Sequence, residues 1–116
     1  MTGAPYVVDE TVIRNQYLVR IVNKRNAPVR FALRLDDAPE NLRRVGFIEA
    51  VEVAPLGELV QPLVLLQPRR EYVGPFRVNV RIADVTGKFV IKRTVEFVGP
   101  DARLLREEEK EQHERR

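Results

Sequence analysis

The amino-acid sequence predicts an all-β protein of about seven strands that ends in a charged C-terminal tail. Three observations support this class. Apolar and polar residues alternate with a period of two in several segments, as they do in strands with one buried face. Turn-forming Gly, Pro, Asn and Asp residues separate these segments, and no helical periodicity precedes the tail. This pattern is typical of an immunoglobulin- or fibronectin-like β-sandwich.

Length, charge and cysteine content limit the function classes. The 116 residues fit one domain, predicted over residues 1–100, with the charged tail at 101–116 as a helix or a disordered segment. The absence of cysteine excludes disulfides, thiolate nucleophiles and cysteine-ligated iron–sulfur clusters within this chain. A net charge of +3 does not imply a nucleic-acid partner. No apolar run approaches the roughly 20 residues that a transmembrane helix needs.

The first long strand is predicted in VIRNQYLVRIV, residues 12–22, after a short lead strand at 6–8. Its alternation places Tyr17, Val19 and Ile21 in the core, whereas Leu18 and Val22 lie on the opposite face. We expect those two apolar residues to be sheltered at an edge or an interface.

Three asparagines frame this strand. Asn15 is expected to bond to neighbouring backbone where the strand enters the sheet. Asn23 and Asn26 are expected to adopt the left-handed or turn conformations that the NKRN segment requires. All three are interpreted as structural rather than binding residues.

The middle of the chain contains three further predicted strands. VRFALRL (29–35) places Phe31 and Leu33 on one face and Arg30 and Arg34 on the other. VGFIEAVEV (45–53) is predicted to form one strand. ELVQPLVLLQ (58–67) is the next, and its Pro62, which lacks a backbone donor, indicates an edge position or a bulge.

The last two strands form a predicted hairpin. FRVNVRI (76–82) alternates apolar residues with Arg77, Asn79 and Arg81, and the DVTGK turn (84–88) leads into FVIKRTVEF (89–97). Before this hairpin, Leu66, Pro68 and Tyr72 have the spacing that begins a tyrosine corner. Two alternatives remain open for Tyr72: a true tyrosine corner or a plain tyrosine at the rim.

The tail DARLLREEEKEQHERR combines good helix formers with Asp101, which can cap a helix start. Apart from Leu104 and Leu105 it has no apolar stripe. Two interpretations stay open: a solvated, frayed or disordered terminus, and a helix that binds a partner.

No catalytic, cofactor-binding or metal-binding residue is predicted. The single imidazole, His113, lies in the charged tail, where no second ligand or base is fixed nearby. The carboxylates of Asp36, Asp37, Glu49 and Glu52 follow no recognised ligand spacing. The six glycines are scattered singly and form no phosphate-binding loop. We therefore expect no enzymatic activity and no small-molecule substrate.

One group of basic residues predicts an interaction patch. In an immunoglobulin-type topology the third, sixth and seventh strands share a sheet, which would bring the outward cations on those strands together. The candidate patch consists of Arg30, Arg34, Arg77, Arg81 and Lys92. Such a face suits anionic lipid headgroups or an acidic surface of a partner protein. The alternative is that the long side chains only cover apolar sheet surface.

Two segments carry a family resemblance. VIRNQYLVRIVNKRNAPVRFALRL (12–35) resembles the C-terminal immunoglobulin-like domain of the FixG/CcoG family, the membrane-bound accessory proteins of cbb3-type cytochrome oxidase assembly. FRVNVRIADVTGKFVIKRTVEFVGP (76–100) resembles its closing hairpin, so the similarity covers roughly residues 9–100. Family members often place a Gly before the first long strand, where DETVIRN has none, and the preceding turn is expected to differ.

The resemblance implies a non-catalytic interaction or scaffolding domain of a membrane-bound iron–sulfur protein that acts in oxidase maturation and copper handling. The iron–sulfur clusters would lie elsewhere in the full-length protein, and this domain would lie on the periplasmic side of the bacterial inner membrane. Its partners would be oxidase assembly proteins, with contact to an anionic membrane surface as a further option. A free-standing adhesion or carbohydrate-binding module is the alternative, although the chain has no Trp and only three Tyr for stacking on sugars.

Overall fold

The computed structural model describes residues 6–114, and the side chains of residues 6–111. The described chain forms two four-stranded antiparallel sheets, one short 3-10 turn and one α-helix. The strands are β1 (Tyr6–Val8), β2 (Val12–Val22), β3 (Val29–Asp36), β4 (Arg43–Val45), β5 (Val51–Val53), β6 (Glu58–Pro68), β7 (Phe76–Asp84) and β8 (Val90–Phe97). The 3-10 turn spans Arg69–Glu71, and the helix α1 spans Ala102–Glu114. The predicted β-sandwich is confirmed.

The two sheets divide the strands in a fixed order. The first sheet has the order β1-β2-β6-β4 and the second has the order β5-β3-β7-β8. The strands formed by VRFALRL, FRVNVRI and VIKRTVEF are therefore neighbours in one sheet, as the sequence predicts. Every pairing is antiparallel. Because successive side chains of a strand point to opposite faces of its sheet, alternate residues of each strand face the space between the sheets.

The core fills that space with the inward side chains of both sheets. The first sheet contributes Ile13, Leu63 and Leu65, all fully buried. The second contributes Val78 and Phe97. In β3 and β7 these positions alternate with more exposed ones, as the sequence shows, whereas in β6 the run Leu63–Leu65 is buried throughout. Burial of this apolar surface is the main stabilising contribution.

The segment 45–53 is not one strand, and this prediction is wrong. β4 pairs with β6 in the first sheet, whereas β5 pairs with β3 in the second. The chain crosses between the sheets at Gly46 and Phe47, whose φ angles are +82° and +50°. A Cβ on Gly46 would lie 2.9 Å from the carbonyl oxygen of Pro62, so this crossing requires glycine. The domain consequently has eight strands.

Pro62 lies beside this crossing. β4 pairs only with Val64, Leu65 and Leu66 of β6, so the stretch containing Pro62 has no strand on that side among the described residues. The missing donor therefore breaks no ladder there. Pro62 thus lies at a local edge, although β6 as a whole is an inner strand between β2 and β4 rather than an edge strand.

Asp9 forms the turn that enters β2. Its Oδ1 accepts hydrogen bonds from the backbone N–H groups of Thr11 (2.7 Å) and Val12 (2.8 Å). The Val12 bond, followed by the Thr11 bond, lowers the pKa of the Asp9 carboxyl. A carboxylate thus fixes the turn that precedes β2.

Asn23 acts through its side chain rather than through its backbone conformation. Its buried Nδ2 lies within hydrogen-bond distance of three carbonyl oxygens, those of Ala27, Val53 and Ala54. These bonds join the turn after β2 to the end of β5. Of the left-handed or turn conformations expected at Asn23 and Asn26, the left-handed one is not adopted, because the only non-glycine residues with positive φ in the described chain are Asp37, Phe47 and Leu56. Asn26 lies in a bend, as the turn alternative predicts.

Tyr72 is neither a rim residue nor a tyrosine corner. The residue is 0% exposed, and its hydroxyl has no aligned hydrogen-bond partner among the described residues. Its ring packs on Phe97, with the centroids 6.2 Å apart, and against Gly99. A Cβ on Gly99 would lie 2.8 Å from Tyr72 Cζ, so glycine makes room for the buried ring.

The helix α1 is attached to this end of the sandwich. Oδ1 of Asp101 caps its start by accepting hydrogen bonds from the N–H groups of Arg103 and Leu104. Leu105 is only 3% exposed and joins the core. Arg106 Nη2 donates to the carbonyl oxygens of Arg69 and Tyr72, both at 2.7 Å. The described part of the tail is thus a helix that packs on the sandwich through Leu105 and Arg106, while most of its other described residues are exposed.

Candidate interaction surfaces

The five predicted patch residues all lie on the outer face of the second sheet. β3 contributes Arg30 and Arg34, β7 contributes Arg77 and Arg81, and β8 contributes Lys92. Arg34 lies directly opposite Arg81, and Arg81 lies directly opposite Lys92. These three cations form a straight line across three strands, which we call the basic row.

The other two cations lie apart from the basic row. Arg77 is four residues along β7 from Arg81, or about 13 Å, and Arg30 is displaced similarly in the opposite direction. Each faces an acid on the neighbouring strand: Arg30 is opposite Glu52, and Arg77 is opposite Glu96. Positive charge is therefore concentrated in the row rather than spread over five equivalent sites.

Within the row, one cation has an acidic neighbour. The Nε of Arg81 lies 3.1 Å from Oδ2 of Asp36, close enough for an ion pair but without the alignment of a hydrogen bond. Arg34 and Lys92 form no ion pair with the described residues. Small residues, Ala32 and Ala83, occupy the adjacent outward positions and leave that side of the row uncovered.

The outer face of the first sheet carries exposed apolar residues instead. Leu18 is 69% exposed, and Val22, Val45 and Val60 are each about half exposed on the same face. Leu18 and Val22 are thus exposed in the described part of the chain, and their shelter at an interface with another protein stays a prediction.

A groove opens where the edges of the two sheets meet, and the sequence reasoning missed it. Its walls are formed by Tyr17, Val19 and Ile21 of β2 and by Ile91, Arg93 and Val95 of β8. Leu63, Val80 and Ile82 lie at its floor, and its volume is about 470 Å³. One signal was available: Arg93 occupies an inward position of an alternating strand, where an apolar residue is the rule. We call this feature the edge groove.

Polar bonds close one end of the edge groove. The Tyr17 hydroxyl donates to the carbonyl oxygen of Glu96 at 2.7 Å. Asn15 makes two bonds to the backbone of Val98 just beyond it. Burial, with a smaller contribution from the Glu96 charge, raises the pKa of Tyr17 to about 12.

The described side chains contain no cluster of three or more His, Cys, Asp or Glu positioned to hold a metal ion. The side chain of His113 lies outside those described. In the same part of the chain, no helix has the length and apolarity needed to cross a membrane.

Two antiparallel sheets packed face to face and closed by the β7–β8 hairpin define an immunoglobulin-like domain. A family model described as "IG-like fold at C-terminal of FixG, putative oxidoreductase" matches residues 1–100. The chain belongs to this family of FixG C-terminal domains.

Solved structures show the same fold. A FixG-related protein from Vibrio parahaemolyticus superposes with a TM-score of 0.66 at 18% identity, over 76% of this chain and 80% of that one. The CupB2 chaperone of Pseudomonas aeruginosa gives a TM-score of 0.55 at 15% identity, over 77% of this chain and 49% of the chaperone. No curated protein sequence matches this chain.

Proposed function

We propose that this chain is a non-catalytic interaction domain of a membrane-bound iron–sulfur accessory protein that acts in cbb3-type cytochrome oxidase maturation and copper handling. Membership of the FixG C-terminal family supports this context. The clusters belong to other parts of such a protein, because this chain has no cysteine to ligate them. The domain lies on the periplasmic side of the inner membrane and contacts a protein of oxidase assembly.

The basic row is the observation that carries the interaction role. Like charges directly opposite each other on neighbouring strands destabilise a sheet, yet Arg34, Arg81 and Lys92 are aligned in this way. An acidic partner surface laid over the row would remove this repulsion. It would also steer association, because complementary charge speeds the encounter of two proteins.

The matched test uses charge reversal on the two sheets of the full-length accessory protein. Arg34→Glu with Lys92→Glu reverses the two cations of the row that have no ion pair. Arg14→Glu with Arg43→Glu makes the same change in net charge on the outer face of the first sheet. We expect the first pair to lower the amount of assembled oxidase, measured by haem-stained subunits and oxygen uptake, and the second pair to leave it unchanged. Equal effects of both pairs, or none from either, would contradict the proposed role.

A second measurement separates a protein partner from the membrane surface. Each basic residue near an anionic bilayer contributes about 1 kcal/mol of attraction. If the row contacts lipid, the Arg34→Glu, Lys92→Glu domain should sediment less with phosphatidylglycerol vesicles at low salt than the wild type does. Equal recovery of both would exclude the lipid contact and leave the protein contact.

The periplasmic location has its own test. Protease added to intact spheroplasts should cleave this domain in the full-length protein, and added to inverted vesicles it should not. The opposite result would place the domain in the cytoplasm and overturn this part of the proposal.

A further inference from the structure

The two sheets both have an open edge on the side of the edge groove. β1 pairs only with Ile13, Arg14 and Asn15, so on the side away from β6 no described strand pairs with β2 from Gln16 to Val22. β8 is the edge strand of the other sheet. Unpaired backbone N–H and C=O groups of two strands therefore flank one groove, and such edges are templates for an added strand.

The walls of the groove are core positions that the fold leaves partly uncovered. Val19 and Val95 face inward but are only half buried, and Ile91 is exposed. At the closed end the equivalent inward residues, Ile13 and Phe97, are completely buried. An added extended segment with apolar side chains at alternate positions would bury the groove walls as completely as Ile13 and Phe97 are buried at the closed end.

The positive charge of Arg93 determines which charge an added segment must carry. It lies opposite Val80 on the inner face of its sheet, and its Nη1 donates only to the carbonyl oxygen of Lys92, at 2.9 Å. None of the residues that line the groove is acidic. A charge pointing inward on an edge strand deters pairing with an apolar strand. The same charge admits a strand that brings a carboxylate to this position.

We propose that the edge groove binds an extended segment of another protein by strand addition, and that the segment alternates apolar residues with one carboxylate that pairs with Arg93. The occupant is an acidic, apolar strand rather than a second copy of this chain, because a second copy would bring another Arg93 to the groove in place of an acid. This surface is separate from the basic row and does not depend on that row having a partner.

Peptide titration of the ¹⁵N-labelled domain tests the proposal. The probe is the end-blocked peptide Val-Thr-Val-Thr-Glu-Thr-Val-Thr, and the control peptide carries Lys in place of Glu. We expect the Glu peptide to shift the amide signals of Gln16–Val22 and Val90–Phe97 and to slow their hydrogen exchange. The Lys peptide should bind at least about tenfold more weakly.

Charge reversal at one residue provides the decisive comparison. In the Arg93→Glu domain the preference should reverse, so that the Lys peptide binds and the Glu peptide does not. Arg93→Gln should bind both peptides equally. Arg34→Glu, on β3 and away from the groove, should leave the preference for the Glu peptide intact, which distinguishes this site from the basic row.

Three results would overturn the inference. The first is an absence of shifts at both edges with the Glu peptide at millimolar concentration. The second is an unchanged peptide preference in a folded Arg93→Glu domain. The third is concentration-dependent broadening of the Gln16–Val22 signals without peptide, together with a dimer in sedimentation, which would make a second copy the occupant.

Discussion

Asn15 joins the two sheets through the backbone of Val98, 83 residues further along the chain. The Asn15 Nδ2 donates to the Val98 carbonyl oxygen at 2.8 Å, and the Val98 N–H donates to Asn15 Oδ1 at 3.0 Å. Asn15 is 1% exposed, and its side-chain amide satisfies the backbone N–H and C=O groups of Val98, which would otherwise need hydrogen bonds to water.

Replacing Asn15 by Ala leaves both backbone groups of Val98 without their partner. Each unsatisfied buried group costs about 1 to 3 kcal/mol, and the two bonds to Val98 are only partly buried, so Asn15→Ala should lower the free energy of unfolding by about 2 to 4 kcal/mol. Urea denaturation measures this change. Asn26→Ala is the control, because Asn26 is exposed and its loss should change stability by less than about 0.5 kcal/mol. Equal effects would mean that the Asn15 bonds contribute no net stability.

Adjacent leucines of α1 provide a matched pair. Leu105 is 3% exposed in the core, whereas Leu104 is 58% exposed. Leu105→Ala should destabilise the domain by about 2 to 4 kcal/mol because it leaves a cavity, and Leu104→Ala by less than about 0.5 kcal/mol. Urea denaturation followed by circular dichroism checks both values. If the two variants are equally stable, the helix does not pack as the structure shows.

The Tyr17 hydroxyl predicts a loss of stability in alkaline solution. Its pKa is raised from 10.0 to about 12 in the folded domain, so folding favours the neutral phenol. This contribution is complete below pH 10 and is lost as the pH rises through about 12. The Tyr17→Phe variant should therefore lose less stability than the wild type over this range. Parallel curves of unfolding free energy against pH would contradict the assignment.

The basic row predicts a stabilising charge reversal. Lys92→Glu places a carboxylate opposite Arg81 in place of a like charge, which should raise the free energy of unfolding by about 0.2 to 1 kcal/mol at low salt. The gain should shrink at high salt because exposed charges are screened. Glu96→Lys, opposite Arg77, is the reverse control and should destabilise by a similar amount. A lower free energy of unfolding in Lys92→Glu would show that the cations of the row do not repel one another.

Local alternation was enough to predict the sandwich, and the immunoglobulin-type topology then predicted the neighbours of β7. Residues such as Phe31, Leu33, Val78 and Val80 alternate with polar residues whichever strand they pair with, because successive side chains of a strand point to opposite faces. The Asp84–Lys88 turn was also predictable from local sequence, because it contains turn-forming residues. Its glycine, Gly87, adopts a φ of +78°, a conformation in which glycine has no steric cost.

The division of 45–53 between two sheets was not predictable from alternation. Apolar and polar residues alternate in the same way whether a segment stays in one sheet or crosses to the other. The crossing depends on the close approach of Gly46 to the carbonyl oxygen of Pro62. The attachment of α1 is another example. Leu105 has no apolar stripe around it, and only the sandwich end beside Arg69 and Tyr72 gives it a place to pack.

The sequence by itself determined that this chain forms an all-β sandwich, that its residues include no cysteine to ligate an iron–sulfur cluster, and which cations face outward on the strands. Only the tertiary structure decided that three of those cations are aligned, that Asn15 joins the sheets, and that two edges open onto one groove. The physical reason is that side-chain direction follows from neighbouring residues along the chain, whereas register, burial and the closure of an edge depend on residues far apart in it.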